Sequence, residues 1–505
     1  NPEVVSIEAL ILERSRRRPS FGGSLVGSDT DGRSQTEAVD RPRPSQTKLE
    51  RKSTDISDTG LKLDGDHIRA ISMRRSLRQW GWIWRRPMYP MSDQGRRELL
   101  QWSQPASGYD AFLSHSWQTW GFWKYLALTL HSCRRWLLLW WSLWVSAAFL
   151  ASYALDLPTY TQISPETPRF HCRCDTGPWV VVTGFVAMVT GLLLAPYAPD
   201  CCSQPDRCFM DAACIHQADP ELKEQGIYSI AGLLGLSREM RVLWSPPYLS
   251  RLWCVFELAA FRKKNPAGRL VIAPLFVEHA VLIGILGAYA AAGALWSSSV
   301  VRAVVRDYLP TFYEMSFFVS LSPVLFMIHY LRRTAEAKHK LIHDLQNFRL
   351  EGALCSEKAD RVFILRAIKR WYGSASAFEE HVQGPLRKEL LQSATRISTT
   401  YTVLLASAAT TAILEDHLAL WRGGVPFWDG ATHFVGFVLG SYTFWAAICF
   451  RAVISLSFAT SKRRHFCFDY LISLSIHVLF CFMSVLGNMI AREVCSLDFW
   501  AAAAW

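Results

Sequence analysis

Seven stretches of this 505-residue chain are apolar enough to cross hydrocarbon: 136–155, 178–198, 278–297, 311–331, 397–414, 432–455 and 469–491. Each approaches the roughly 20 residues that an α-helix rising about 1.5 Å per residue needs to span about 30 Å of acyl chain. That layer holds no water to bond backbone amides, so the stretches must be helical, and they sort the rest of the chain into compartments. The stretches at 278–297 and 397–414 are the weakest, the first opening with Glu278 and His279, the second rich in Thr and Ser, so six crossings is the alternative count. The many Trp flank or sit within these runs, where amphipathic rings favour the headgroup layer.

Loop charge fixes an orientation, because Lys and Arg accumulate on the cytoplasmic side. Arg134 and Arg135 precede the first crossing, and Arg262, Lys263, Lys264 and Arg269 precede the third. Arg332, Arg333, Lys338 and Lys340 follow the fourth, and Lys462, Arg463 and Arg464 separate the last two. The opposite loops are mixed or acidic, Arg302 and Arg306 excepted. The expected topology has the N-terminus cytosolic and the C-terminus exoplasmic in an integral multi-pass protein. Segments 100–135, 199–277 and 332–396 then share the cytosol.

The formal charge of +11 clusters beside the apolar runs and forms no stripe suited to a phosphate backbone, so no nucleic-acid partner is expected. The 13 Cys show no paired C-x-x-C spacing, which argues against a zinc ribbon or a disulfide scaffold. Cys208, Cys214 and His216, with Cys201 and Cys202 upstream, are too irregular to imply a metal. Cys201 and Cys202 are palmitoylation candidates just past the second crossing, with free thiols the simpler reading.

Residues 1–100 lack sustained apolar periodicity and carry basic patches such as RSRRRPS at 14–20 and RPRPSQ at 41–46, as a disordered tail does. Arg-rich sequence ahead of Ser20, Ser53 and Ser76 suits basophilic kinases, and a solvated, unregulated linker is the simpler reading. Trp80, Trp82 and Trp84 beside Arg85 and Arg86 fit a segment lying on lipid or packing on the domain. The chain opens without Met and shows no signal peptide ahead of residue 100, as a fragment or a processed chain would.

The cytosolic pieces alternate strand with helix. Strand-like 110–113 leads to helix-like 124–133; past the first hairpin come strand-like 208–211, helix-like 227–236, strand-like 240–244, a helix over 246–264 and a last strand over 270–277. Such alternation implies a parallel sheet with right-handed crossovers. Ser245 is the expected N-cap, with Pro246 in the first helical position.

In this order the chain resembles the TIR domain, the Toll/interleukin-1 receptor and plant-resistance fold. The motifs are YDAFLSHSW at 109–117, CFMDAACIHQADPELKEQG at 208–226 and VLWSPPYLSRLWCVFELA at 242–259. The last fits S-x-x-Y…S-x-W-C-x-x-E-L except that Leu252 adds a residue, and together they cover about 100 residues. The expected fold is therefore α/β, a TIR-like (flavodoxin-like) parallel sheet split by a transmembrane hairpin, with a polytopic helical membrane region of about seven crossings. Its parts are the tail at 1–100, the split domain at 101–135 and 199–277, hairpins at 136–198 and 278–331, a cytosolic helical segment at 332–396, and membrane helices at 397–505. Two departures are expected: the inserted hairpin, and no recognisable fifth strand after Val277. Residues 332–396 would complete the domain or stand as a separate helical module.

Many TIR domains cleave NAD at the nicotinamide–ribose bond, and the resemblance transfers their acidic residue to Glu257. One carboxylate suffices, because nicotinamide leaves a cationic pyridinium as a neutral amine and needs no general acid, while a positioned anion stabilises the oxocarbenium-like ribose. Ligands of open parallel sheets bind beyond the carboxyl ends of the strands, where Ser114, His115, Ser116, Trp117 and Asp211 would project. Trp117 or Trp253, the latter four residues before Glu257 on one helix face, would stack on a ring of NAD. The plainer reading has Trp253 and Glu257 bracing the helix, with Glu257 paired to Arg251 or Arg262. Binding without turnover leaves NAD a candidate substrate and no firm cofactor. The resemblance implies a membrane-anchored signalling protein acting through self-association or other TIR domains. The alternatives are a membrane NAD hydrolase and a transporter with a TIR-like regulatory domain. Against the transporter, the intramembrane polar residues Glu278, His279, Glu314 and the run at 415–417 sit near crossing ends, and Pro323 is the one good candidate for a broken helix.

Overall fold

The computed structural model describes residues 68–85, 91–155, 157–163, 170, 173–198, 206–305, 318–395, 398–462 and 465–505. Ser20, Ser53, Cys201, Cys202, Glu314 and most of the expected tail lie outside the described residues.

Three strands upstream of the first crossing, β1 (Arg69–Ser72), β2 (Gln104–Pro105) and β3 (Tyr109–His115), join three downstream of it, β6 (Arg207–Phe209), β7 (Ser237–Trp244) and β8 (Arg269–Pro274), in one sheet ordered β2-β1-β6-β3-β7-β8. β4 (Thr161–Ile163) and β5 (Cys174–Thr176) form a separate hairpin between the first two crossings. Strands β6, β3, β7 and β8 are mutually parallel, whereas β1 and β2 add at the edge in antiparallel fashion. Interior strands of parallel sheets are covered on both faces, and β3 accordingly buries Ala111, Phe112, Leu113 and Ser114 in succession. Its register with β7 runs from Tyr109 opposite Ser237 to His115 opposite Leu243, and Phe112 stacks on Phe209 of β6 at 4.5 Å.

The expected tail therefore ends before residue 68. Strand β1 has too few apolar residues to announce itself; it is held by long-range pairing of Ile71 with Cys208. Helix α1 (Met73–Arg85) is broken over Arg78–Gly81, where Gln79, Trp80 and Gly81 adopt left-handed backbone. Trp84 is buried and Trp82 stacks on Trp102 at 5.7 Å, so both pack on the domain, while Trp80 stays 57% exposed.

Helix α2 runs unbroken from Gly121 to Ala154, about 51 Å at 1.5 Å per residue. The expected boundary between a domain helix ending at 133 and a crossing starting at 136 does not exist: Arg134 and Arg135 interrupt hydropathy but not helicity, and no Gly or Pro follows Gly121 inside the helix. The expected strand over 270–277 is likewise shorter. It ends at Pro274, and helix α5 (Leu275–Val305) begins at the next residue.

Other expectations shift by local chemistry. The helix expected from Pro246 starts only at Leu252, as α4 (Leu252–Lys264), because Pro246 and Pro247 disfavour helix at the residue before each and the intervening chain turns instead. Ser245 is thus no N-cap; its carbonyl accepts from Tyr248 N–H at 2.9 Å. The helix expected over 227–236 is two, Pro220–Tyr228 and Ile230–Gly235, separated at Ser229.

Among the described residues, six helices are long and apolar enough to cross a bilayer, within Gly121–Ala154, Trp179–Tyr197, Leu275–Ser298, Thr399–Arg422, Phe427–Ala459 and Cys467–Leu497, as in a multi-pass membrane protein. The expected crossing at 311–331 is described only from residue 318, where α6 (Ser322–Thr334) runs back along α5, with Met327 lying against Gly284 and Gly287.

The helical segment after α6 belongs to the sheet domain. Within it, α7 (Lys358–Tyr372) packs on α4 and α8 (Arg387–Thr395) on β8. Leu354 exchanges backbone hydrogen bonds with Ser250 and Leu252 at 2.7 and 2.9 Å. In the bundle, α9 (Thr399–Arg422) runs beside α2 and α5: Tyr401 bonds Glu278 near the sheet, and Arg422 bonds the carbonyl of Leu155 at the far end.

Candidate functional site

The carboxyl end of β3 gathers most of the expected residues. Ser114, the sixth residue of the strand, stands 2.5 Å from the Tyr248 hydroxyl and donates to Glu257 Oε2 on α4. The turn over 245–251 places Tyr248 beneath the helix, so β3, the turn and α4 meet at one hydrogen-bonded point. Burial pushes the Glu257 carboxyl up to about 8, with the Ser114 bond opposing this and the Asp211 carboxylate adding to it. Glu257 therefore holds its proton near neutral pH. Burial, followed by the nearby Cys254 thiol and Glu257, likewise holds the Tyr248 phenol well above its ordinary value.

A second group adjoins the first. Asp211, which opens the short helix after β6, accepts from Trp117 Nε1 at 2.8 Å and from the Ala212 amide at 2.8 Å. Burial raises its pKa against both bonds and against Lys124. Lys124 is 1% exposed, and its ammonium lies 5.2 Å from the centroid of the Trp117 ring, a cation–π contact. His115 is buried between the edges of Trp84 at 5.3 Å and Trp117 at 4.6 Å, and its Nε2 has no hydrogen-bond partner. Burial first, and Lys124 second, hold its pKa well below the usual value, so the ring stays neutral.

The expected set is thus largely assembled: Ser114, His115, Trp117, Asp211 and Glu257 converge. Trp253, expected as a stacking surface for a cofactor ring, donates its indole N–H to Asp360 of α7 at 3.1 Å. Neither Arg251 nor Arg262 pairs with Glu257; Arg262 bonds Glu389 of α8. Sequence reasoning missed Lys124 and Tyr248, and gave Trp84 no part in the site. A lone Lys inside the apolar run FWKYLAL was the available signal, since a buried ammonium needs a carboxylate or an aromatic face.

Among the described residues no group of three or more His, Cys, Asp or Glu is placed to hold a metal ion. Cys208 and Cys214 are buried free thiols, the latter pushed up to about 12 chiefly by burial, and His216 Nδ1 accepts from the Asp219 amide at 2.9 Å.

Chemically, the arrangement offers two half-buried carboxyls, Glu257 with the Ser114 hydroxyl bonded to it and Asp211 bonded to Trp117, with Trp117, 40% exposed, as the outward aromatic surface. Comparison with family models, with curated proteins and with solved structures finds no match to this chain.

Proposed function

We propose that the chain is a membrane-anchored signalling protein whose TIR-like sheet domain acts by associating with other copies of itself or with like domains. The parallel strands, in sheet order β6-β3-β7-β8, support the resemblance, since the first strand in sequence lies second. The observation that carries the signalling reading is continuity. β8 passes into α5 with no linker, and β3 passes into α2 through only five residues, 116–120. Both exits leave the carboxyl edge, where Ser114, Asp211 and Glu257 gather. A shift of the bundle would therefore move the sheet, and anchoring would raise the local concentration of domains. The positive-inside rule would place the sheet in the cytosol: Arg134 lies over Tyr401 and Lys462 lies beside His339, at the end of the bundle nearest the sheet. The test is energy transfer between differently labelled full-length chains in liposomes at falling protein-to-lipid ratio. Association predicts transfer that saturates; transfer no greater than random proximity gives overturns the reading.

NAD cleavage is the second reading, favoured by a half-buried carboxyl at the carboxyl edge of a parallel sheet. Since the ionised form must act, turnover by the full chain would rise with pH through about 8, the value to which burial pushes Glu257. Glu257→Gln would abolish it; equal turnover in both proteins excludes this carboxyl.

A further inference from the structure

Within the helical bundle, α5, α6, α9, the helix α10 (Ala446–Ala459) with the residues before it, and α11 (Phe466–Leu497) line a partly open cavity of about 110 Å³. It exists because facing positions are small: Ala288 and Ala292 on α5, Ala412 on α9 and Ala446 on α10. Trp445, Phe450 and Phe480 supply its aromatic lining.

A second observation sets this space apart from a packing fault. The chain over Phe434–Trp445 is π-helical, and Trp445 ends that stretch on the cavity wall. π-helical turns are rare and are found frequently at functional sites. Here Trp445 donates its indole N–H to the Met483 carbonyl at 2.8 Å, in room that Gly487 leaves: a Cβ at Gly487 would meet the indole at 2.2 Å.

The polar atoms on the wall bond one another. Ser441 donates to Asn488 Oδ1 at 2.8 Å, and Asn488 Nδ2 donates to the Tyr442 hydroxyl at 3.0 Å. A trapped water needs two to four polar partners, so such a space favours an apolar occupant; apolar cavities of about 150 Å³ take up benzene or xenon.

We propose that this cavity binds a ring-sized, uncharged apolar molecule that enters from the bilayer. Binding here does not depend on the signalling reading above.

The experiment follows fluorobenzene by fluorine NMR with the full chain in lipid nanodiscs, against empty discs. Wild type should show a saturable bound component that added benzene displaces. Ala412→Leu and Ala292→Leu, placed on different helices, should each weaken it at least about tenfold. Because they fill a void, they should melt no lower than wild type, and either one that folds suffices. Only non-saturating partition, equal to that of empty discs, or undiminished binding in the filled variants, overturns the proposal.

Discussion

At Glu257 the folded chain holds a carboxyl whose pKa lies near 8, against an ordinary 4.5, so the proton stays on across the neutral range. A group raised in this way contributes stability that is complete below about 4.5 and is lost as pH rises through about 8, because the unfolded chain ionises first. The full chain should therefore lose stability between about pH 5 and pH 8, by up to about 1.4 kcal/mol per pH unit from this group. Glu257→Gln, which keeps an acceptor for Ser114 and cannot ionise, should flatten the decline; parallel slopes for the two proteins in denaturation from pH 5 to pH 9 would sink this account. The same residue shows what sequence could say. That Ser114 and Glu257 share one site was legible, because both were expected at the carboxyl edge of one parallel sheet; that Ser114, and neither Arg251 nor Arg262, bonds Glu257 was not. That Trp253 turns to Asp360 was not, because the partner comes from a segment about 100 residues away whose docking on α4 left no periodic trace.

Among the elements, the four parallel strands were readable from short apolar runs and motif order, and the failures were at joins and at the antiparallel edge. A helix does not stop where hydropathy changes, so α2 absorbs both the expected domain helix and the first crossing. Strand β1 and helix α1 were hidden in a basic tail because what holds them is non-local. One consequence falls on Gly121, the first residue of α2. A Cβ there would stand 1.8 Å from the carbonyl oxygen of Trp84 and 2.8 Å from Arg85 Cα, backbone atoms that no rotamer change can move aside. Gly121→Ala should force α1 away from α2 and cost about 1–3 kcal/mol, the usual range for overpacking. It should also loosen Trp84 over His115, seen as faster amide exchange across residues 82–85. An unchanged melting midpoint together with unchanged exchange would show that the two helices are not in this contact.

Across the whole molecule, the C-terminal crossings must be tied to the end of the bundle that carries the sheet, and the buried Arg332–Asp469 pair, with Arg333 3.5 Å from the other Asp469 oxygen, makes the tie. Arg332, 1% exposed near the end of α6, reaches Asp469 Oδ1 of α11 at 2.7 Å, Ser473 Oγ at 2.8 Å and the Thr460 carbonyl at 3.0 Å. Two further helices are thus gripped by one guanidinium, whose five N–H donors suit a ring of oxygen acceptors. Removing Asp469 leaves the Arg332 guanidinium buried without a carboxylate, whereas replacing both by apolar groups of similar volume avoids that cost. Asp469→Ala should then lower stability by about 3–5 kcal/mol, and Arg332→Met combined with Asp469→Leu should recover most of the loss. Thermal midpoints of the full chain in nanodiscs, with cross-linking between α6 and α11 as the readout of assembly, decide the matter. If the single and double variants melt together, the pair contributes packing volume and no electrostatic latch, and the last crossings are held by their apolar faces alone.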